Sequence, residues 1–217
     1  FKALRNKETY ATSGSRIKLR FFAGYEISSV DLDSSDLISQ AYEKGVPMGS
    51  DINFDNGKEP HFIVWAVKGK NGAPLQRIQI IKGWIDTNSG RPKEMVYDVT
   101  CSDALAVDPV TYRCPDNNAK VDIKTCKISD NVGAVELKAK WQDPEFNSTD
   151  NAFYYVRVLE NPTCRWSSWD AINNGFEPRK DLHRTIQERA WSSPIWYVPE
   201  DDGFEIIPLG GSISLRN

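Results

Sequence analysis

The side chains of this sequence with chemistry to offer are two histidines, four cysteines and a late group of tryptophans and arginines. A catalytic or metal-bound histidine works beside an Asp, a Glu or a second His. His61 and His183 lie far apart in sequence and have no such neighbour in a recognisable pattern. His61 heads an apolar run and is expected to pack there, and His183, in Asp181-Leu182-His183-Arg184, to sit in a solvated loop. Cys101, Cys114, Cys126 and Cys164 match neither C-x-x-C nor a zinc spacing. An even number in a segment rich in Asp, Asn and Pro points instead to two disulfides and an oxidising compartment, with four free buried thiols as the alternative. Three connectivities are possible. The expectation is that the pairs tie this segment to itself and to the loop of Cys164.

Hydrolase, phosphate-loop and dinucleotide motifs are missing, so no catalytic residue is assigned. Asp31-Leu32-Asp33-Ser34-Ser35-Asp36 imitates a calcium loop but lacks its Gly and distal Glu, and reads as a helix-capping turn. Asn147-Ser148-Thr149 is a formal glycosylation sequon, otherwise a surface turn. Trp166, Trp169, Trp191, Trp196 and Tyr197, together with Arg157, Arg165 and Arg189, could form a stacking surface for a sugar or a planar substrate. The structural alternative puts the tryptophans in the core with arginine stems lying over them.

The elements that must position these groups are mostly β. Residues 16–22 alternate polar and apolar, residues 61–67 form an apolar run, and residues 76–85 are the clearest strand, with Ile78, Ile80, Lys82 and Trp84 on one face. Residues 93–99 can pair with it across the turn at 88–92. Further strands are expected at 134–141, 153–160 and 193–197, and a loop or short helix at 165–186. The helical exceptions are residues 1–8 and 36–44, the latter stopped by Gly45. Residues 10–14 read as a turn and 46–49 as a constrained loop. Short strands without alternating helices favour a β-sandwich of immunoglobulin-like type. The expected division is an α/β remnant at 1–45, a sandwich at 46–199 with a cysteine-bearing excursion at 101–131, and a polar tail at 200–217.

Composition narrows the function classes. Charged residues make up 26% and hydrophobic residues 40% of the 217, ordinary for a globular chain and against disorder. A formal net charge of −3 with scattered Lys and Arg leaves no footprint for nucleic acid. No apolar stretch is long enough to span a membrane as a helix. The opening Phe1-Lys2-Ala3-Leu4-Arg5 reads as a helix without an N-cap, so the native protein is expected to continue upstream.

Several segments together resemble one bacterial family: residues 3–14 with Tyr10-Ala11-Thr12-Ser13-Gly14, residues 16–22, Gly45-Val46-Pro47-Met48-Gly49, residues 75–84, residues 153–160, and residues 186–197 with Glu188-Arg189-Ala190-Trp191. The family is the domain of unknown function 3604, which is similar to the PHP (polymerase and histidinol phosphatase) metallohydrolases and their carbaryl-hydrolase-like relatives. The resemblance implies an exported, periplasmic or secreted protein whose N-terminal α/β barrel binds divalent metals through Gly-Asp-Leu-His-x-His-type and Ser-Asp-x-His motifs. Neither motif occurs in this chain, so no metal ligand is carried over and no cofactor is assigned to it. It implies further that residues 1–14 are the last helix and turn of that barrel, which would be this segment's partner, and that an ester or phosphoester is hydrolysed there. Thr12, Ser13 and Gly14, the stiff Pro47-Met48-Gly49 loop, and Arg165 with Trp166 are the candidates to line the pocket or the domain interface. The alternative is a β-sandwich module that binds carbohydrate or a cell-surface partner.

Overall fold

The computed structural model of the chain describes residues 1–87 and 89–200. The tail expected at 200–217 lies, beyond Glu200, outside the described residues. In chain order the elements are α1 (Lys2–Arg5), β1 (Tyr10–Thr12), β2 (Lys18–Gly24), a 3-10 turn (Ile27–Ser29), α2 (Leu37–Lys44), β3 (Val46–Pro47), β4 (Asp51–Asn53), β5 (His61–Val67), β6 (Leu75–Ile85), β7 (Pro92–Cys101), β8 (Glu136–Gln142), β9 (Ala152–Glu160), β10 (Thr163–Cys164), α3 (Trp166–Asn174), β11 (Thr185–Ile186), β12 (Arg189–Ser192) and β13 (Ile195–Val198).

Two sheets pack face to face. The larger has seven strands and is organised around β9, which pairs along one edge with β6 and on the other with β13 near its start and β12 near its end. β7 extends the sheet beyond β6, β1 beyond β12 and β4 beyond β13. The smaller sheet runs β3-β2-β5-β8. Pairing is antiparallel throughout except between β4 and β13. No closed barrel forms among the described residues.

Strand alternation explains the core. Ile78 and Ile80 of β6, Tyr154, Val156 and Val158 of β9, and Ile195 and Tyr197 of β13 point inward, where they meet Leu19, Phe21, Phe62 and Val64 of the smaller sheet. The opposite face of the smaller sheet offers Phe22 and Ile63, which α2 and the 3-10 turn cover with Leu37, Ala41, Ile27 and Val30. The large buried rings are Tyr97, Tyr154, Tyr197, Phe21, Phe22 and Phe62. Trp166, Trp169 and Trp196 are exposed and Trp191 is half-buried, so the alternative that the late tryptophans fill the core is corrected, whereas Trp65, Trp84 and Trp141 pack half-buried against it.

Other expectations are corrected near the start of the chain. The helix at 1–8 shrinks to one turn, with no side-chain cap and no buried residue, and ends where Lys7 adopts φ +56°. The turn expected at 10–14 begins instead with β1, an edge strand with Tyr10 opposite Ser192 and Thr12 opposite Ala190. The loop at 46–49 contains β3, with Phe22 opposite Pro47. β2 pairs along its whole length with β5. Strand pairing therefore runs across position 45 without a break.

All four cysteines are paired, Cys101 with Cys114 and Cys126 with Cys164, so the excursion is tied to itself and to the strand before α3. Two disulfides point to an oxidising, extracytoplasmic environment. No helix among the described residues is long and apolar enough to cross a membrane.

Candidate functional site

Ser13, Gly14 and Ser15 leave the end of β1 as a ridge between two clefts. The Ser13 hydroxyl donates to the Glu188 carboxylate and accepts from the Arg189 N–H at 2.9 Å, while the Ser13 N–H donates to the Arg189 carbonyl at 3.0 Å. A Cβ on Gly14 would stand 2.8 Å from the Glu188 carboxyl carbon, so a larger residue there would have to displace that carboxylate. The group that lies against Gly14 is the chain's own Glu188.

One cleft, of about 670 Å³, is walled by Gly14, Ser15, Arg16, Gly72, Glu160 and Glu188. Glu160 is buried; it accepts from the Ser15 hydroxyl and, at 3.2 Å, from the Ala73 N–H. Burial pushes its carboxyl above the ordinary range, and the Ser15 and Ala73 donors pull it partly back. The other cleft, of about 440 Å³, is lined by Ser13, Arg165, His183, Gln187, Arg189 and Trp191, among others. Arg165 stands next to Cys164 and so is held by the disulfide to Cys126. Its backbone N–H donates to the Arg184 carbonyl at 2.9 Å and its Nε to the His183 carbonyl at 3.0 Å. Arg189 sits in β12 between β1 and β9.

The structure thus brings together Ser13 and Arg165, two of the residues singled out in the sequence. Thr12 belongs to β1, and Trp166 opens α3 with 71% of its surface exposed. Pro47, Met48 and Gly49 lie elsewhere. Met48 is buried in the core, and the Gly49 N–H donates to the Pro194 carbonyl, beyond the Ser192 end of β12, whereas Ser13 meets the Arg189 end. Glu160, Glu188 and His183 enter the clefts through pairings that no local pattern announces. Of the two histidines, His61 is half-buried opposite Gly24 and Gln142, and His183 is exposed. No group of three or more His, Cys, Asp or Glu is gathered among the described residues where it could hold a metal ion.

A second surface lies on the outer face of the large sheet. Trp196 of β13, Phe153 of β9, Gly83 of β6 and Glu94 of β7 face one another in register across four strands. The Phe153 ring lies directly over Gly83, leaving no room for a Cβ there, and its centroid is 5.1 Å from that of Trp196. With Trp84, Ile85, Asn151 and Val198 these residues line a groove of about 740 Å³. Trp196 is 44%, Ile85 48% and Val198 39% exposed.

Behind this groove, on the core side, Lys82 is buried against Asp143 at 2.6 Å and donates to the Glu145 carbonyl at 2.8 Å. Asp143 also accepts from the Tyr154 hydroxyl at 2.8 Å and the Glu145 N–H at 2.9 Å. An inward Lys among Ile78, Ile80 and Trp84 was visible in the sequence, but its partner was not.

No curated protein and no solved structure matches this chain. A family match covers residues 1–199, to the family described as "Protein of unknown function (DUF3604)". That span takes in both sheets, both disulfides, both clefts and the outer groove, and the chain belongs to the DUF3604 family.

Proposed function

We propose that this chain is the C-terminal, non-catalytic part of a periplasmic or secreted metal-dependent hydrolase, and that it holds the metal-binding portion of that protein against the outer face of its large sheet. The observation that supports this reading is the character of that face. An antiparallel sheet with one solvated side sets polar residues outward, yet here Trp196, Val198, Phe153, Tyr155 and Ile85 point outward on three adjacent strands. A contiguous aromatic and aliphatic patch marks an interaction surface. On this reading the body is an immunoglobulin-like accessory sandwich. The partner is the PHP-like barrel that the family resemblance implies, whose divalent metals would activate water for attack on an ester or phosphoester.

The test is association. The metal-binding portion of a full-length family member, expressed separately, is expected to form a complex with this chain. Trp196→Asp should weaken that complex more than it lowers the chain's own stability, because the ring packs on Phe153 at the surface and not in the core. The chain alone should turn over no aryl ester or aryl phosphate, with or without manganese or zinc. A chain that hydrolyses such substrates and loses the activity on Ser13→Ala would overturn the reading.

The same groove also suits a second reading, a carbohydrate-binding module. Aromatic rings rimmed by Glu94, Lys93 and Asn151 offer a stacking plane with polar groups at its edge. Glycan binding that is lost on Trp196→Ala, with no complex to the metal-binding portion, would favour it.

A further inference from the structure

We infer that the cleft between Ser13 and α3 is a binding site for the oxyanion of a small molecule, a carboxylate or phosphate, held by Arg165 and Arg189 beside Trp191. Two guanidinium groups line this cleft, and no carboxylate stands among its described lining residues. Neither Arg165 nor Arg189 has an acid within ion-pair distance among the described residues. The Arg189 Nε is sealed from solvent and has no acceptor. No acid among the described residues offsets its partly desolvated charge, and an anion in the cleft that Arg189 lines would do so.

The nearby acids are turned away. Glu188 directs its carboxylate to Ser13 and Gly14 and, with Glu160, lines the neighbouring cleft on the far side of the ridge. Ser13 to Ser15 therefore separates a cleft with two arginines and, among the described residues, no acid from one in which Arg16 and Lys70 stand with Glu160 and Glu188. The cationic side is also held in place before any ligand arrives. Arg165 is fixed by the Cys126–Cys164 bridge and by its Nε bond to the His183 carbonyl, and the Arg189 backbone by pairing with Leu159 on one side and by its bonds to Ser13 on the other. Planar guanidinium groups bind the oxygens of carboxylate and phosphate in pairs. Trp191 and Ile186 add an apolar wall for the body of the molecule that carries the anion.

This inference stands apart from the function proposed above. The outer groove meets β9 at Ala152 and Phe153, whereas Arg189 faces Leu159 at the strand's other end. The two readings can therefore fail separately.

The experiment titrates inorganic phosphate and, separately, benzoate into the oxidised chain at constant ionic strength. It is followed by calorimetry and by the NMR signals of the arginine Nε–H groups and the tryptophan indoles. At least one titrant is expected to bind saturably and to move the signals of Arg165, Arg189 and Trp191. The phosphate arm reports a phosphate-bearing ligand and the benzoate arm an aryl carboxylate. Arg165→Ala should weaken binding about tenfold or more. Arg189→Lys should do likewise, because an ammonium cannot reproduce the paired bonds. Lys70→Ala, in the neighbouring cleft, should leave affinity unchanged. Should Arg189→Lys disturb folding, Arg165→Ala decides the matter. The inference is overturned if neither titrant saturates, if the shifts equal those produced by chloride, or if Arg165→Ala binds as well as the parent.

Discussion

Replacing Asp143 by Ala removes one carboxylate and strands two buried donors. The Lys82 ammonium, 1% exposed, keeps the Glu145 carbonyl at 2.8 Å and the faces of Trp84 and Tyr154, whose centroids are 4.9 and 6.0 Å away. The Tyr154 hydroxyl loses its acceptor inside the core. Removing one partner of a buried ion pair costs about 3–5 kcal/mol, because the remaining charge stays in a poorly solvating interior. Orphaning the hydroxyl adds about 1 kcal/mol or more. The expected loss is therefore about 4–6 kcal/mol, a large part of the stability of an ordinary domain, about 5–15 kcal/mol. The double variant Lys82→Met, Asp143→Leu removes both charges together and should lose much less, about 1–2 kcal/mol. Urea unfolding at neutral pH without reductant, followed by tryptophan fluorescence, measures both. An Asp143→Ala protein within about 1 kcal/mol of the parent, or a double variant no more stable than the single one, would refute the reasoning.

Two further outcomes follow from the same structure. The disulfides close loops of different length, with sequence separations of 38 for Cys126–Cys164 and 13 for Cys101–Cys114. Replacing each pair by serines should cost about 4 and about 3 kcal/mol respectively by loop entropy, and urea unfolding that places them clearly in the reverse order would contradict that account. Alkaline pH should also destabilise the fold. Burial raises the phenols of Tyr97 and Tyr154 above the ordinary range, with Asp143 next in effect, and pushes Tyr25 up to about 12. The unfolded chain gives up these protons near pH 10 while the native fold retains them, so their contribution is complete below about pH 10 and declines as pH rises further. Melting temperatures from pH 8 to 11 test this, and Tyr154→Phe should flatten the decline. A melting temperature constant to pH 11 would show that the phenols are not held as described.

What the sequence by itself determined is local. The period-2 alternation at 76–85 set Ile78, Ile80, Lys82 and Trp84 on the inward face of β6, because successive side chains on a strand must point to opposite sides. The runs at 61–67 and 153–160, the pairing of 93–99 with β6, and the tying of the cysteine excursion to itself and to Cys164 were legible for similar reasons. Tertiary structure decided everything that depends on a distant partner. Three residues at 10–12 carry no strand signal of their own and become β1 only because Ala190 to Ser192 present an open edge. The β4–β13 pair is parallel, and no hairpin turn announces it. Lys82 looks like an interruption of an apolar face until Asp143 arrives from the stretch between β8 and β9. The tryptophans could equally have been core or surface, because hydrophobicity says that a ring prefers cover but not which face of which sheet is already covered. α2 shields the outer face of the smaller sheet, while Trp196 and Phe153 lie on the outer face of the larger one with the groove open beside them. The cationic cleft beside Ser13 is of the same kind, since Arg165 and Arg189 line it with Ser13 only through a register set by the whole sheet.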